Sequence, residues 1–131
     1  MIQRQSTRRR LFRLGATLLA GLLLFPPGAR AHAIIVSSTP SPNSTVPQGR
    51  FDILLQFNSR IDVALSRISL VDPAGKVAAL ATAAGKAPGS LVAEGNADSL
   101  GPWILRWQVL SVDGHITRGE IRFLVIAKTA S

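Results

Sequence analysis

From residue 51 onward, apolar and polar side chains alternate along much of the chain. Phe51, Ile53, Leu55 and Phe57 recur at every second position. Successive strand side chains point to opposite faces, so this spacing predicts a strand with one buried side. The same alternation runs through 102–110, where Trp103, Leu105, Trp107 and Val109 share one face and Arg106 and Gln108 the other, and returns in the last strand as Ile121, Phe123 and Val125. Residues 67–71 read as a short strand closed by Asp72-Pro73-Ala74-Gly75, whose Pro and Gly suit a tight turn. A short first strand over 33–36 leads into 37–49, where Pro40, Pro42 and Pro47 among Ser, Thr and Asn predict extended loop. Residues 90–94 are expected to form another strand, and the Ala-rich stretch 77–84 a strand or irregular structure. Six or seven short strands in about 100 residues predict an all-β Greek-key sandwich or barrel, immunoglobulin-like or cupredoxin-like. The aromatics Phe51, Phe57, Trp103, Trp107 and Phe123 are assigned to its core.

The first 31 residues follow another pattern. A basic start with Arg4, Arg8, Arg9, Arg10 and Arg13 precedes an apolar run over 14–25 and an Ala29-Arg30-Ala31 exit, the layout of a secretory signal peptide. The apolar run, about 12 residues, is short of the roughly 20 that cross a bilayer, which disfavours an uncleaved anchor. Cleavage after Ala31 leaves His32 as the first residue of a single 32–131 domain. Arg9-Arg10-Leu11-Phe12 also fits a twin-arginine signal loosely, so Sec and Tat export both stay open.

The leader changes the charge picture. It holds six of the 15 Lys and Arg and none of the seven acids, so nine cations against seven acids leave +2 on residues 32–131. Those nine are scattered singly along the sequence with no basic stripe, which argues against nucleic-acid binding. Cysteine is absent, so thiolate metal sites and the two-His, one-Cys set of blue-copper carriers are excluded.

Only two histidines occur, His32 and His115. A terminal histidine offers two nitrogens, the freed α-amine and the imidazole, which can close a chelate ring on a metal. The second lies in Ser111-Val112-Asp113-Gly114-His115, where extended backbone would point Asp113 and His115 to one side and Gly114 lets the chain bend around a ligand. An amine, two imidazoles and a carboxylate make a three-nitrogen, one-oxygen set. Cu(II) binds such a set most strongly among divalent first-row ions and accepts its tetragonal geometry; Zn(II), which prefers a tetrahedron, is the competitor. Against this stands the reading of His32 as a frayed terminus and Asp-Gly-His as a polar turn.

The residues carry a further pattern: His32-Ala33 at the expected terminus, Ser38-Thr39-Pro40, Leu55-Gln56-Phe57, Trp107, Ser111 to His115, Gly119, and Phe123-Leu124-Val125. The chain thereby resembles the CopC family of periplasmic copper-binding, copper-resistance proteins over nearly all of 32–131, with 76–100 matching only in length and strand-like character. The resemblance implies a Greek-key β-sandwich and one Cu(II) per chain, held by His32 through amine and imidazole, Asp113 and His115. It also implies a periplasmic monomer without catalytic activity, and hand-over of copper to an inner-membrane CopD-type transporter. Some members bind Cu(I) through a Met-rich loop; here the one methionine is Met1, inside the leader, so no Cu(I) site is expected.

Three other functions compete. A copper monooxygenase also begins with histidine on a β-sandwich, but an equatorial Asp113 would suppress oxygen chemistry. A Ser111, Asp113, His115 hydrolase fails if the segment is extended, because residues four apart then lie about 13 Å apart. A metal-free structural or interaction domain is the third. If the metal site is real, its imidazoles need hydrogen-bond acceptors, for which Glu94, Asp98 and Glu120 are candidates by elimination.

Overall fold

A computed structural model describes residues 33–129; the signal peptide expected over 1–31 and the proposed ligand His32 lie outside them. Nine strands and no helix occur among the described residues: β1 (Ile35–Thr39), β2 (Thr45–Pro47), β3 (Gly49–Phe57), β4 (Ile61–Val71), β5 (Val77–Leu80), β6 (Thr82–Ala84), β7 (Ser90–Ala97), β8 (Gly101–Ser111) and β9 (Ile116–Ile126). They form a sandwich of two sheets, one ordered β1-β3-β7-β6 and the other β2-β9-β8-β4-β5. The all-β sandwich is the fold that the alternation predicts.

The inward positions are the apolar ones of the sequence pattern. Ile53, Leu55 and Leu91 from the four-stranded sheet meet Ile68, Leu70, Leu105, Val109 and Val125 from the five-stranded sheet, all fully buried. Each such side chain removed from water contributes roughly 2 kcal/mol. Phe57 packs edge-on against Trp107 with ring centres 5.2 Å apart, and Phe51 against Phe123 at 5.6 Å, the arrangement that ring quadrupoles favour. Trp107 sits opposite Gly119 on β9. A Cβ at Gly119 would land inside the indole, so only glycine lets the ring lie flat against that strand.

Three boundaries differ from expectation. Residues 37–49 are not all loop: β1 continues to Thr39, and β2 pairs in parallel with β9 through Thr45–Leu124, Val46–Val125 and Pro47–Ile126. Pro47 is tolerated because β2 is a sheet edge, where a missing N–H breaks no ladder. β4 starts at Ile61 rather than at 67, because an irregularity between Asp62 and Arg67 interrupts the alternation; there the Ser66 hydroxyl donates to the Asp62 carbonyl at 2.6 Å. The Ala-rich stretch is two short edge strands in different sheets, β5 against β4 and β6 against β7.

The connections matter for function at one end of the sandwich. There β1 begins opposite the end of β3, with Ile35 beside Phe57, and β4 begins opposite the end of β8, with Ile61 beside Ser111. The β8–β9 connection, residues 112–115, lies at the same end.

Candidate metal-ligand turn

The β8–β9 connection is a tight turn, not extended backbone. Ser111 N–H donates to the His115 carbonyl at 2.8 Å, and Gly114 N–H to the Ser111 carbonyl at 2.9 Å. Gly114 has φ +93°, a conformation that costs glycine little and an L side chain much more. That corrects the premise that an extended backbone aligns Asp113 with His115. The turn itself brings the two side chains together, with His115 Nδ1 3.2 Å from Asp113 Oδ1.

It also corrects the distance argument against a hydrolase, because the Ser111 hydroxyl touches Asp113 Oδ1. The hydrolase reading still gains nothing. Ser111 is buried, and its single hydrogen serves either that carboxylate or the His115 carbonyl at 3.0 Å, whereas a nucleophilic serine must donate to the imidazole.

Asp113 is the electrostatic centre of the turn. Its Oδ1 accepts from the Ser111 hydroxyl and, at 3.3 Å, from the His115 N–H. The Ser111 hydrogen bond above all holds its carboxyl below the ordinary carboxylate value; desolvation, the next influence, opposes it, and weaker contacts with His115 add to the lowering. Asp113 is therefore ionised at neutral pH, the state that ligation requires. The Asp113 and His115 side chains are 39% and 47% exposed, so an ion can approach them from solvent.

The pair fits a metal in separation. Two donors each about 2.0–2.2 Å from one ion and roughly at right angles stand about 3 Å apart, close to the 3.2 Å between Asp113 Oδ1 and His115 Nδ1. Two donors alone make a weak site. Among the described residues no group of three or more His, Cys, Asp or Glu is placed to hold an ion.

A second segment converges on this turn. Ile34 N–H donates to the Asn58 side-chain carbonyl at 2.9 Å, and Asn58 N–H returns a bond to the Ile34 carbonyl at 3.0 Å. Two residues on, the Arg60 carbonyl accepts from Val112 N–H at 3.2 Å. Residues 58–60 thus bridge the start of the domain to the Asp113–His115 turn, with Ala33 fully buried just before Ile34. Sequence reasoning did not single out Asn58; an Asn after an apolar strand is an ordinary turn signal, and only the fold shows what it holds.

Two of the three carboxylates named as imidazole acceptors, Glu94 and Glu120, are paired elsewhere. Glu94 pairs with Arg50 at 3.4 Å, and Glu120 with Arg106 at 3.1 Å. Asp98 has its backbone carbonyl bonded by Gln48. The carboxylate beside the His115 imidazole is Asp113 itself.

Among the described residues the chain is thus a two-sheet sandwich without helix that presents a carboxylate–imidazole pair on a glycine turn between its last two strands. The chain belongs to the CopC domain family, whose model matches residues 35–126. Among solved structures it is similar to CopC from Methylosinus trichosporium OB3b, at 26% identity over 76% of this chain and 99% of that one, with a TM-score of 0.66. It is also similar to PcoC, a methionine-rich copper resistance protein from Escherichia coli, at 25% identity over 73% of this chain and 100% of that one, with a TM-score of 0.59. No curated protein sequence matches it.

Proposed function

We propose that this is an exported, periplasmic Cu(II)-binding protein that sequesters or carries copper, one ion per chain. The ion is the cargo, held by the α-amine and imidazole of His32 together with Asp113 and His115. The carrying observation is the ionised, solvent-facing Asp113 with His115 Nδ1 3.2 Å away, in a family whose relatives include a copper resistance protein.

His32 supplies what the turn lacks. Two residues of chain span at most about 7 Å, and they start from Ile34, which is bonded to the segment that also bonds Val112. A terminal amine and imidazole brought to the turn would complete three nitrogens and one oxygen, a set that favours Cu(II). The chain's one methionine is Met1, so this reading includes no thioether site for Cu(I), in contrast to the methionine-rich PcoC. The protein acts as a carrier rather than an enzyme and works as a monomer. Delivery to an inner-membrane CopD-type transporter is part of the same proposal and follows from the family alone.

Competition titration of the exported chain against a chromophoric Cu(II) chelator tests the reading. One tight site per chain is expected, strongly weakened both by His115→Ala and by one extra residue before His32. Affinity indifferent to both changes would overturn it and favour the metal-free sandwich domain.

A further inference from the structure

The nine cations of residues 32–131 look scattered in sequence, yet strand register gathers four of them. In the five-stranded sheet Arg67 stands beside Gln108 and Gln108 beside Arg118; in the next outward row Ser69 stands beside Arg106 and Arg106 beside Glu120. Laterally paired residues point to the same side of a sheet, and Ile68, Leu70, Leu105, Trp107 and Ile121 between them are buried. The arginines therefore share the outer face, joined by Arg122 two residues beyond Glu120 on β9. The expectation of no basic stripe is corrected: the cross-strand neighbours of a sheet are invisible to a linear reading.

This face carries the whole net positive charge of residues 32–131. Four arginines against Glu120 and Asp62, which stands beside Leu110 on the same side, leave it +2, while the other five cations and five acids cancel. Glu120 is shared by Arg106 at 3.1 Å and Arg122 at 3.6 Å. Arg118 directs its Nε at the neutral Gln108 amide, 2.8 Å away. Among the described residues neither Arg67 nor Arg118 has a carboxylate partner, and the two flank a groove of about 390 Å³ that also exposes Ser69 and Gln108. All four cations are arginines, whose planar forks suit phosphate. Leu124 and Ile126, 44% and 40% exposed, follow on the outward side of β9, and Ile116, 52% exposed, precedes Arg118.

We propose that the outer face of the five-stranded sheet docks on a membrane surface rich in anionic phospholipid. The guanidinium groups spread over three strands, about 10 Å across, instead of converging on one point, which suits a field of headgroup phosphates better than a single small anion. The exposed aliphatic side chains beside them suit the headgroup–acyl boundary, where apolar burial and charge attraction add. The Arg67–Gln108–Arg118 row lies two residue pairs from Leu110–Ile116, from which the ligand turn springs. Docking would hold Asp113 and His115 close to the bilayer.

The test is cosedimentation of the exported chain with vesicles of equal parts phosphatidylglycerol and phosphatidylcholine, against pure phosphatidylcholine, at low salt. Binding to the anionic vesicles alone, reversed by salt, is expected. Arg67→Gln with Arg118→Gln should weaken it about thirtyfold, with the circular dichroism spectrum unchanged. Arg50→Gln with Lys86→Gln, which removes the same charge elsewhere, should leave it nearly unchanged. Equal weakening by both pairs would reduce the effect to net charge and overturn the proposal, as would equal binding to both vesicle types. Retention on immobilised polyglutamate without vesicle binding would also overturn it and assign the face to an acidic polypeptide.

Discussion

The two segments that the copper proposal joins are built on different principles. The 111–115 turn is locally determined: its own backbone bonds, Gly114 and the Ser111 hydroxyl place Asp113 and His115 within five residues of sequence. The start of the domain has no such local frame. Ile34 is fixed by a side chain and an N–H 24 residues away, both from Asn58. On the copper proposal, a locally framed pair and a tethered strand end share one ion only if the tether holds.

The largest effect separates the halves outright. Either one residue added before His32 or His115→Ala should cost more than the roughly 10- to 100-fold that loss of a supporting contact costs, as read by chelator competition, with the sandwich still folded. Asn58→Ala should fall inside that 10- to 100-fold range, because it frees the arm and leaves the turn intact. A change in the Cu(II) electron paramagnetic resonance signal should accompany the loss of affinity, whereas unchanged affinity and signal in Asn58→Ala would remove the tether from the copper proposal.

A smaller effect tests the turn alone. Gly114→Ala forces a side chain into φ +93°, which costs on the order of 1 kcal/mol or more. Thermal denaturation of the metal-free protein should show a melting temperature lower by about 4–8 °C per kcal/mol.

The smallest effect concerns pH. The carboxyl of Asp113 is held below its ordinary value, so its contribution to stability is present above that ordinary value and lost as pH falls through the lowered one. Between pH 7 and 5 it stays ionised. On the copper proposal, loss of copper on acidification through that window is expected to come from protonation of the terminal amine, whose ordinary value is about 8. Asp113→Asn should lower affinity while preserving the steep pH dependence, measured by titration at several pH values. In the metal-free protein the variant should be only slightly less stable than the parent above about pH 4, with the difference vanishing as pH falls below it, because the carboxylate is partly solvated.

What could be read in the sequence follows the same division. Strands with unbroken alternation, 51–57 and 102–110, declare themselves because the period is local, and the Asp-Gly-His turn is legible for the same reason. β2 was hidden because a parallel edge strand containing Pro47 has no local signature, and the start of β4 because the irregularity after Asp62 breaks the period. The approach of Asp113 to His115 was foreseen for an extended backbone and achieved by a turn. Asn58 and the arginine face needed the register of strands far apart in sequence.

The central claim is that His32 and the turn hold the same ion. Its most direct test is the electron paramagnetic resonance spectrum of one equivalent of Cu(II) on the exported chain, shown by mass spectrometry to start at His32, compared with a chain carrying one extra residue before it. The account predicts a single tetragonal, nitrogen-rich centre in the first and its loss in the second. Identical spectra from the two chains would contradict it.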